Sequence, residues 1–173
     1  QGILDGFSPS WDSWRNAALN GHEIGSHTIS HPYLTSLSSA QVQEELAGSK
    51  TAIDAQITSR KCLTFIYPYG DFNSYVVSVT KNYYIAARGV WCDLNSEPFD
   101  FYNLRGCTPE DVSIDIYVMT DSAEVEGKWL VVYFHDLDGG SYGIDLFTTY
   151  LDYLKRKNLW VGTFGAAVKY IRE

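Results

Sequence analysis

Gly21-His22-Glu23-Ile24-Gly25-Ser26-His27-Thr28-Ile29-Ser30-His31-Pro32 is the stretch on which the reading of this 173-residue chain turns. His27 and His31 are four residues apart, a spacing that on a helical turn aims both imidazoles from one face at a single metal ion. Alone, such a pair is a weak signal. Its setting sharpens it, with a glycine before, a proline after and hydroxyls at Thr28 and Ser30. Thr28 stands where a zinc protease of the His-Glu-x-x-His type carries its glutamate, which excludes that chemistry. His22, in the same stretch, reads as a hydrogen-bonded residue at a turn.

Downstream the sequence alternates helix and strand signals. Ser38 followed by Gln41 resembles a capping box, and Val42, Leu46, Ile53 and Ile57 recur at helical spacing. Cys62–Tyr67 is a short apolar run stopped by Pro68 and Gly70, a buried strand ending in a turn. Asn73 can cap a helix through about Asn82, followed by a strand near Tyr84–Ala87. Thr108-Pro109-Glu110-Asp111 reads as a helix start, with a capping hydroxyl, proline at the first position and acids in the first turn. Trp129–Phe134 reads as a buried strand, Leu146–Leu154 as an amphipathic helix, Leu159–Val161 as a last strand, and 165–172 as a closing helix. Strands separated by helices imply a mainly parallel α/β sheet, open or closed into a barrel, with functional groups where strands end. No repeat or linker interrupts residues 1–173, which read as a single domain.

Composition narrows the class of partner. Apolar residues make up 45% and charged residues 20%, a globular balance. The net charge of −8 repels phosphate backbones and anionic lipid, so neither nucleic acid nor a membrane is an expected partner. Three cysteines cannot all pair within the chain. Cys92 and Cys107 can bridge a segment rich in turn formers, and three buried thiols is the other reading.

Two further features carry chemistry. Tyr67-Pro68-Tyr69-Gly70 closes a buried strand, where a strained turn can present backbone N–H groups to an anionic intermediate. His135 follows the most apolar strand and is suited to acid–base work, with Asp136 and Asp138 just beyond it.

The ordered set G-H-E-I-G-S-H-T-x-S-H-P, F-x-Y-P-Y-G, F-H-D and W-V-G-T-F-G resembles the polysaccharide deacetylases, carbohydrate esterase family four or the NodB homology domain. The resemblance runs from about Trp11 to the C-terminus. It implies a distorted, incomplete (β/α) barrel and a secreted, metal-dependent hydrolase that removes acetyl groups from a polysaccharide or oligosaccharide. The acetyl groups are O-linked, as on xylan, or N-linked, as on chitin or peptidoglycan. It further implies that His27 and His31 hold a divalent metal ion, zinc foremost and cobalt or nickel as alternatives. Tyr69 would offer a backbone N–H to the oxyanion, and His135 would protonate the leaving group. Tyr67, Pro68, Arg88, Trp91 and Asp93 would meet substrate.

The sequence also departs from that family. Its T-F-D-D-G motif, source of the catalytic base and third ligand, has no match, and Asp5-Gly6 lacks the neighbouring aspartate. The expectation is therefore an N-terminally truncated polypeptide without the first strand or strands and helix. Ile66 occupies the position of an orienting arginine, for which Arg88 is a substitute, and Trp91 and Asp93 echo the fourth motif. Two rival readings are a catalytically degenerate carbohydrate-binding domain on the same fold, and an unrelated metal hydrolase using Asp71 or Asp93 as third ligand.

Overall fold

A computed structural model describes residues 9–135, 137 and 143–173. Asp5-Gly6, Asp136 and Asp138 lie outside the described residues. Two compact units emerge: the described residues up to Gly89 with Asp100–Leu104 and Thr163–Glu173, and a second of Val90–Phe99 with Arg105–Gly162.

The first unit is built on a short parallel ladder. Strand β1 (Thr64–Ile66) pairs with β2 (Ala86–Arg88), Phe65 opposite Ala87. Ser26 bridges to Phe65 on one side and Leu104 to Arg88 on the other, both parallel. Ser26 N–H donates to the Thr64 carbonyl at 2.9 Å, and Ile66 N–H returns to the Ser26 carbonyl at 2.9 Å. Parallel neighbours need crossover connections. Helix α2 (Ser39–Gln56) lies between Ser26 and β1, and α3 (Ser74–Tyr83) between β1 and β2. The capping signals hold: Gln41 Oε1 accepts from the Ser38 N–H and hydroxyl, and Asn73 Oδ1 accepts from Val76 N–H. Helix α2 packs on α3, and Val42 and Leu46 join Phe65, Tyr67 and Val76 in the core.

An unanticipated helix, α1 (Trp11–Leu19), precedes the histidine stretch. It ends where Gly21, at φ +100°, lets Gly21 N–H reach the Ala18 carbonyl and His22 N–H the Ala17 carbonyl. His22 is thus a turn residue. At the far end of the chain, Glu23 accepts from the Gly165 N–H at 2.7 Å and the Thr64 hydroxyl at 2.6 Å. This carboxylate anchors the first turn of the closing helix (Phe164–Arg172) to β1. A methyl at Gly165 would sit 2.7 Å from Glu23 Oε1.

The second unit differs most from expectation. Thr108–Asp111 forms turns, not a helix start, because Thr108 Oγ1 takes Glu110 N–H and Asp111 Oδ1 takes Ser113 N–H. The helix begins instead at α4 (Ile116–Glu126), capped by Asp115. Trp129–Phe134 makes isolated bridges, Asn95 with Trp129 and Cys107 with Val132, and is half-buried where a buried strand was expected. Leu159–Val161 forms no strand, and Trp160 and Val161 are exposed. Hydrophobic runs alone do not distinguish a paired strand from an extended connector. Helix α5 (Ile144–Leu154) matches its periodicity, and the closing helix is α6. Cys92 pairs with Cys107, which settles the cysteine alternatives and leaves Cys62 as a buried thiol. No helix among the described residues is long and apolar enough to cross a membrane.

Burial raises the Cys62 thiol from its ordinary 9.0 to about 12 and the Tyr84 phenol from 10.0 to about 12. Folded values above unfolded ones mean that the unfolded chain releases these protons first. Their stabilising share is complete below about pH 9 and is lost as pH rises towards 12. The denaturation midpoint should therefore fall across pH 9–12, and less steeply in Cys62→Ala; identical slopes would show that Cys62 has no part in it.

Candidate functional site

The candidate groups of the first unit collect where its parallel segments end. His27 follows the Ser26 bridge, Tyr67-Pro68-Tyr69-Gly70 follows β1, and Arg88 closes β2. Peptide dipoles and loops at such ends are where α/β folds place ligands.

His27 and His31 do not lie on a helical turn. They sit in a loop in which Thr28 and His31 both take left-handed backbone angles, φ 70° and 59°. Those angles fold the chain back, so the imidazoles still meet: the two Nε2 atoms are 2.9 Å apart. The His27 Nδ1 lies 2.8 Å from the Ile66 carbonyl, an acceptor only, so Nδ1 carries the proton and Nε2 presents its lone pair. A main-chain carbonyl behind a ligating imidazole is the usual arrangement in metal sites. Two zinc–nitrogen bonds at a tetrahedral angle hold their nitrogens roughly 3.3 Å apart, a small opening from the observed pair. The two histidines therefore fit a divalent ion. Among the described residues no set of three His, Cys, Asp or Glu converges as a metal-binding group.

Two carboxylates fasten this loop. Glu45, on α2, accepts from Ile29 N–H at 2.7 Å, Ser30 N–H at 2.9 Å and the Ser30 hydroxyl. Within the loop, Thr28 Oγ1 accepts from His31 N–H at 3.0 Å. Asp71 accepts from Thr35 N–H at 2.7 Å and the Thr35 hydroxyl at 2.8 Å, which ties the loop's exit to the turn after β1. That engagement describes Asp71 as a fastener, the residue offered above as a third ligand of an unrelated hydrolase. Glu45 carried one sequence signal, an acid beside Val42 and Leu46 on the buried face of a helix.

Tyr69 has φ 59° and ψ 7°, a strained backbone for a non-glycine residue. Its ring meets His31 edge-on at 4.7 Å and stacks on Tyr33 at 4.1 Å. Tyr67 is fully buried and donates its hydroxyl to the Tyr102 carbonyl at 3.0 Å, and Pro68 is buried beside it. Their side chains belong to the core. Arg88 is also buried, and its Nη1 donates to the Gly89 carbonyl at 3.0 Å.

The second unit holds His135, Trp91 and Asp93. His135 is exposed, and Glu110 grips it twice: Oε1 accepts its backbone N–H at 2.6 Å, and Oε2 meets its Nδ1. A carboxylate on Nδ1 fixes the orientation of an imidazole and the direction in which its Nε2 points. Glu110 lies 25 residues from His135, and nothing local in the sequence links the two. Trp91 is 67% exposed beside the Cys92–Cys107 disulfide, and Asp93 caps its own turn by accepting Leu94 N–H.

The family model for polysaccharide deacetylase matches residues 6–87. Gellan lyase from a Bacillus species is 27% identical over 216 residues, covering 97% of this chain and 8% of the lyase. Chitin deacetylase 3 from Cryptococcus neoformans var. neoformans serotype D is 28% identical over 134 residues, covering 75% of this chain and 30% of that protein. The chain thus spans under a third of the length of the curated relatives it matches. A solved structure of a carbohydrate esterase family four pseudoenzyme from Bacillus anthracis superposes with TM-score 0.62 at 16% identity, over 91% of this chain and 50% of that one. At that identity the likeness concerns the fold, a mixed α/β arrangement with few strands.

Glu45→Ala removes the acceptor of two loop N–H groups and a hydroxyl. It should lower the unfolding free energy by about 1–3 kcal/mol in chemical denaturation, whereas an unchanged value would mean the loop is held by other contacts.

Proposed function

Residues 6–87 carry the polysaccharide deacetylase sequence pattern and the chain shares the fold of that family, and from this premise we propose that it is a metal-dependent deacetylase of a carbohydrate polymer. The observation that carries the proposal is the convergence of the His27 and His31 Nε2 atoms, with the Ile66 carbonyl fixing the tautomer of His27. His27 and His31 would hold a divalent ion, zinc foremost and cobalt or nickel as alternatives. When bound, such an ion supplies Lewis-acid polarisation of an acetyl carbonyl and a lowered pKa for water.

The chain's own groups supply the rest. The Tyr69 main-chain N–H, in the left-handed turn that follows the buried Pro68, is the proposed oxyanion donor. His135 is the proposed acid for the departing alcohol or amine, with Glu110 on its Nδ1 leaving Nε2 to deliver the proton. Trp91, Asp93 and Arg88 remain proposed substrate contacts, as do Tyr67 and Pro68 through their main chain. Gellan and chitin, the polymers named in the two relatives, are both polysaccharides, which supports an acetylated polysaccharide or oligosaccharide as partner. The Cys92–Cys107 disulfide supports an extracellular setting, since such bonds persist in oxidising compartments. The second reading is a carbohydrate-binding domain without catalysis. It is favoured by the lack, among the described residues, of a third His, Cys, Asp or Glu joining the histidine pair.

Titration of the full chain with zinc, cobalt or nickel, with acetate release followed in parallel, separates these readings. The deacetylase reading expects one bound ion, metal-dependent acetate release from acetylated xylan or chitin oligomers, and an affinity loss beyond about 100-fold in His27→Ala. Absence of metal binding, or acetate release unaltered by His27→Ala, would contradict it.

A further inference from the structure

Tyr33 and Tyr69 stack with planes 14° apart, yet Tyr33 is 56% and Tyr69 51% exposed. Stacking shields one face of each ring, and His31 meets Tyr69 edge-on. What stays open is the outer face of Tyr33. That face is held in place rather than left to swing. Leu34, next in the chain, is wholly buried; Thr35, one further on, is clamped by Asp71; and the Tyr69 ring backs Tyr33 from behind. Ring-to-ring steps of 4.1 and 4.7 Å connect Tyr33 through Tyr69 to His31.

A pre-set aromatic face with a hydroxyl at its rim suits a ligand that is flat and apolar on one side and polar at its edges. An equatorially substituted pyranose, such as xylose or N-acetylglucosamine, has that form: axial C–H bonds on its faces and hydroxyls around its rim. A nucleobase would also stack, but the net charge of −8 repels its phosphates. We infer that the outer face of Tyr33, backed by Tyr69, is a stacking subsite for a pyranose ring of the polymer. Resting on the deacetylase reading above, its occupant is the sugar beside the one whose acetyl group lies at the histidine pair. The subsite gives the site a preference for polymer over isolated esters, a property the metal pair cannot supply.

The test compares acetylated xylo-oligosaccharide and chito-oligosaccharide with triacetin, an acetyl ester that has no ring. Tyr33→Ala should lower kcat/KM on an oligosaccharide roughly tenfold more than on triacetin, mainly through KM, and Tyr33→Trp should restore most of the difference. Equal losses on all substrates, or none on the oligosaccharides, would overturn the subsite. If the wild-type chain releases no acetate, the deacetylase reading fails by itself, and calorimetric binding of the same oligosaccharides decides the subsite. Binding by wild type that weakens about tenfold in Tyr33→Ala and returns in Tyr33→Trp upholds it; no binding, or binding indifferent to Tyr33, refutes it.

Discussion

The hydrogen bond between His27 Nδ1 and the Ile66 carbonyl joins the frame of the first unit to its chemistry. Ile66 is the last residue of β1, and its own N–H is committed to Ser26, the residue before His27. The backbone thus pins Ser26 against β1, and the imidazole that follows is pinned to the same strand. Backbone donors and acceptors in a sheet are obligatory partners, so this attachment has little freedom to drift. One carbonyl sets the tautomer, the ring plane and the direction in which Nε2 points. His31 then needs only the two left-handed residues of the loop to bring its own nitrogen opposite.

Left-handed backbone at Thr28, His31 and Tyr69 costs free energy, of order 1 kcal/mol or more each, and persists only where surroundings impose it. At the histidine loop those surroundings include two carboxylates, Glu45 and Asp71, and two more fasten other segments. Glu45 takes the loop's N–H groups from one side, Asp71 holds its exit, Glu23 anchors β1 to the closing helix, and Glu110 grips His135 in the second unit. Each accepts a main-chain N–H at 2.7–2.9 Å, or at 2.6 Å for Glu110, the short range of charge-assisted bonds. Part of the chain's acidity is therefore structural.

Local signals in the sequence were a good guide wherever the cause was itself local. The Ser38–Gln41 box and the Asn73 cap mark real helix starts, and Val42 and Leu46 are buried as their spacing implies. The resemblance drawn from the motifs agrees with the family model over residues 6–87. The histidine pair was legible as a pair, but its backbone was not, because left-handed Thr28 and His31 flank Ile29 and Ser30, whose N–H groups Glu45 takes from 16 and 15 residues along the chain. Thr108–Asp111 misled for a related reason: its hydroxyl and acids satisfy donors within their own turns before any helix can form. Trp129–Phe134 has the composition of a strand and finds only scattered partners, which no property of the segment itself could reveal. Tyr33 and Glu110 act through contacts with residues 36 and 25 positions away, and so left no pattern to read.

X-ray absorption at the zinc edge, measured on the full zinc-loaded chain, reads directly whether His27 and His31 share one ion. Two imidazole nitrogens are expected at about 2.0–2.1 Å from the metal, reduced to one in His31→Ala. A spectrum without imidazole scattering, or one that His31→Ala leaves unaltered, would contradict a shared ion.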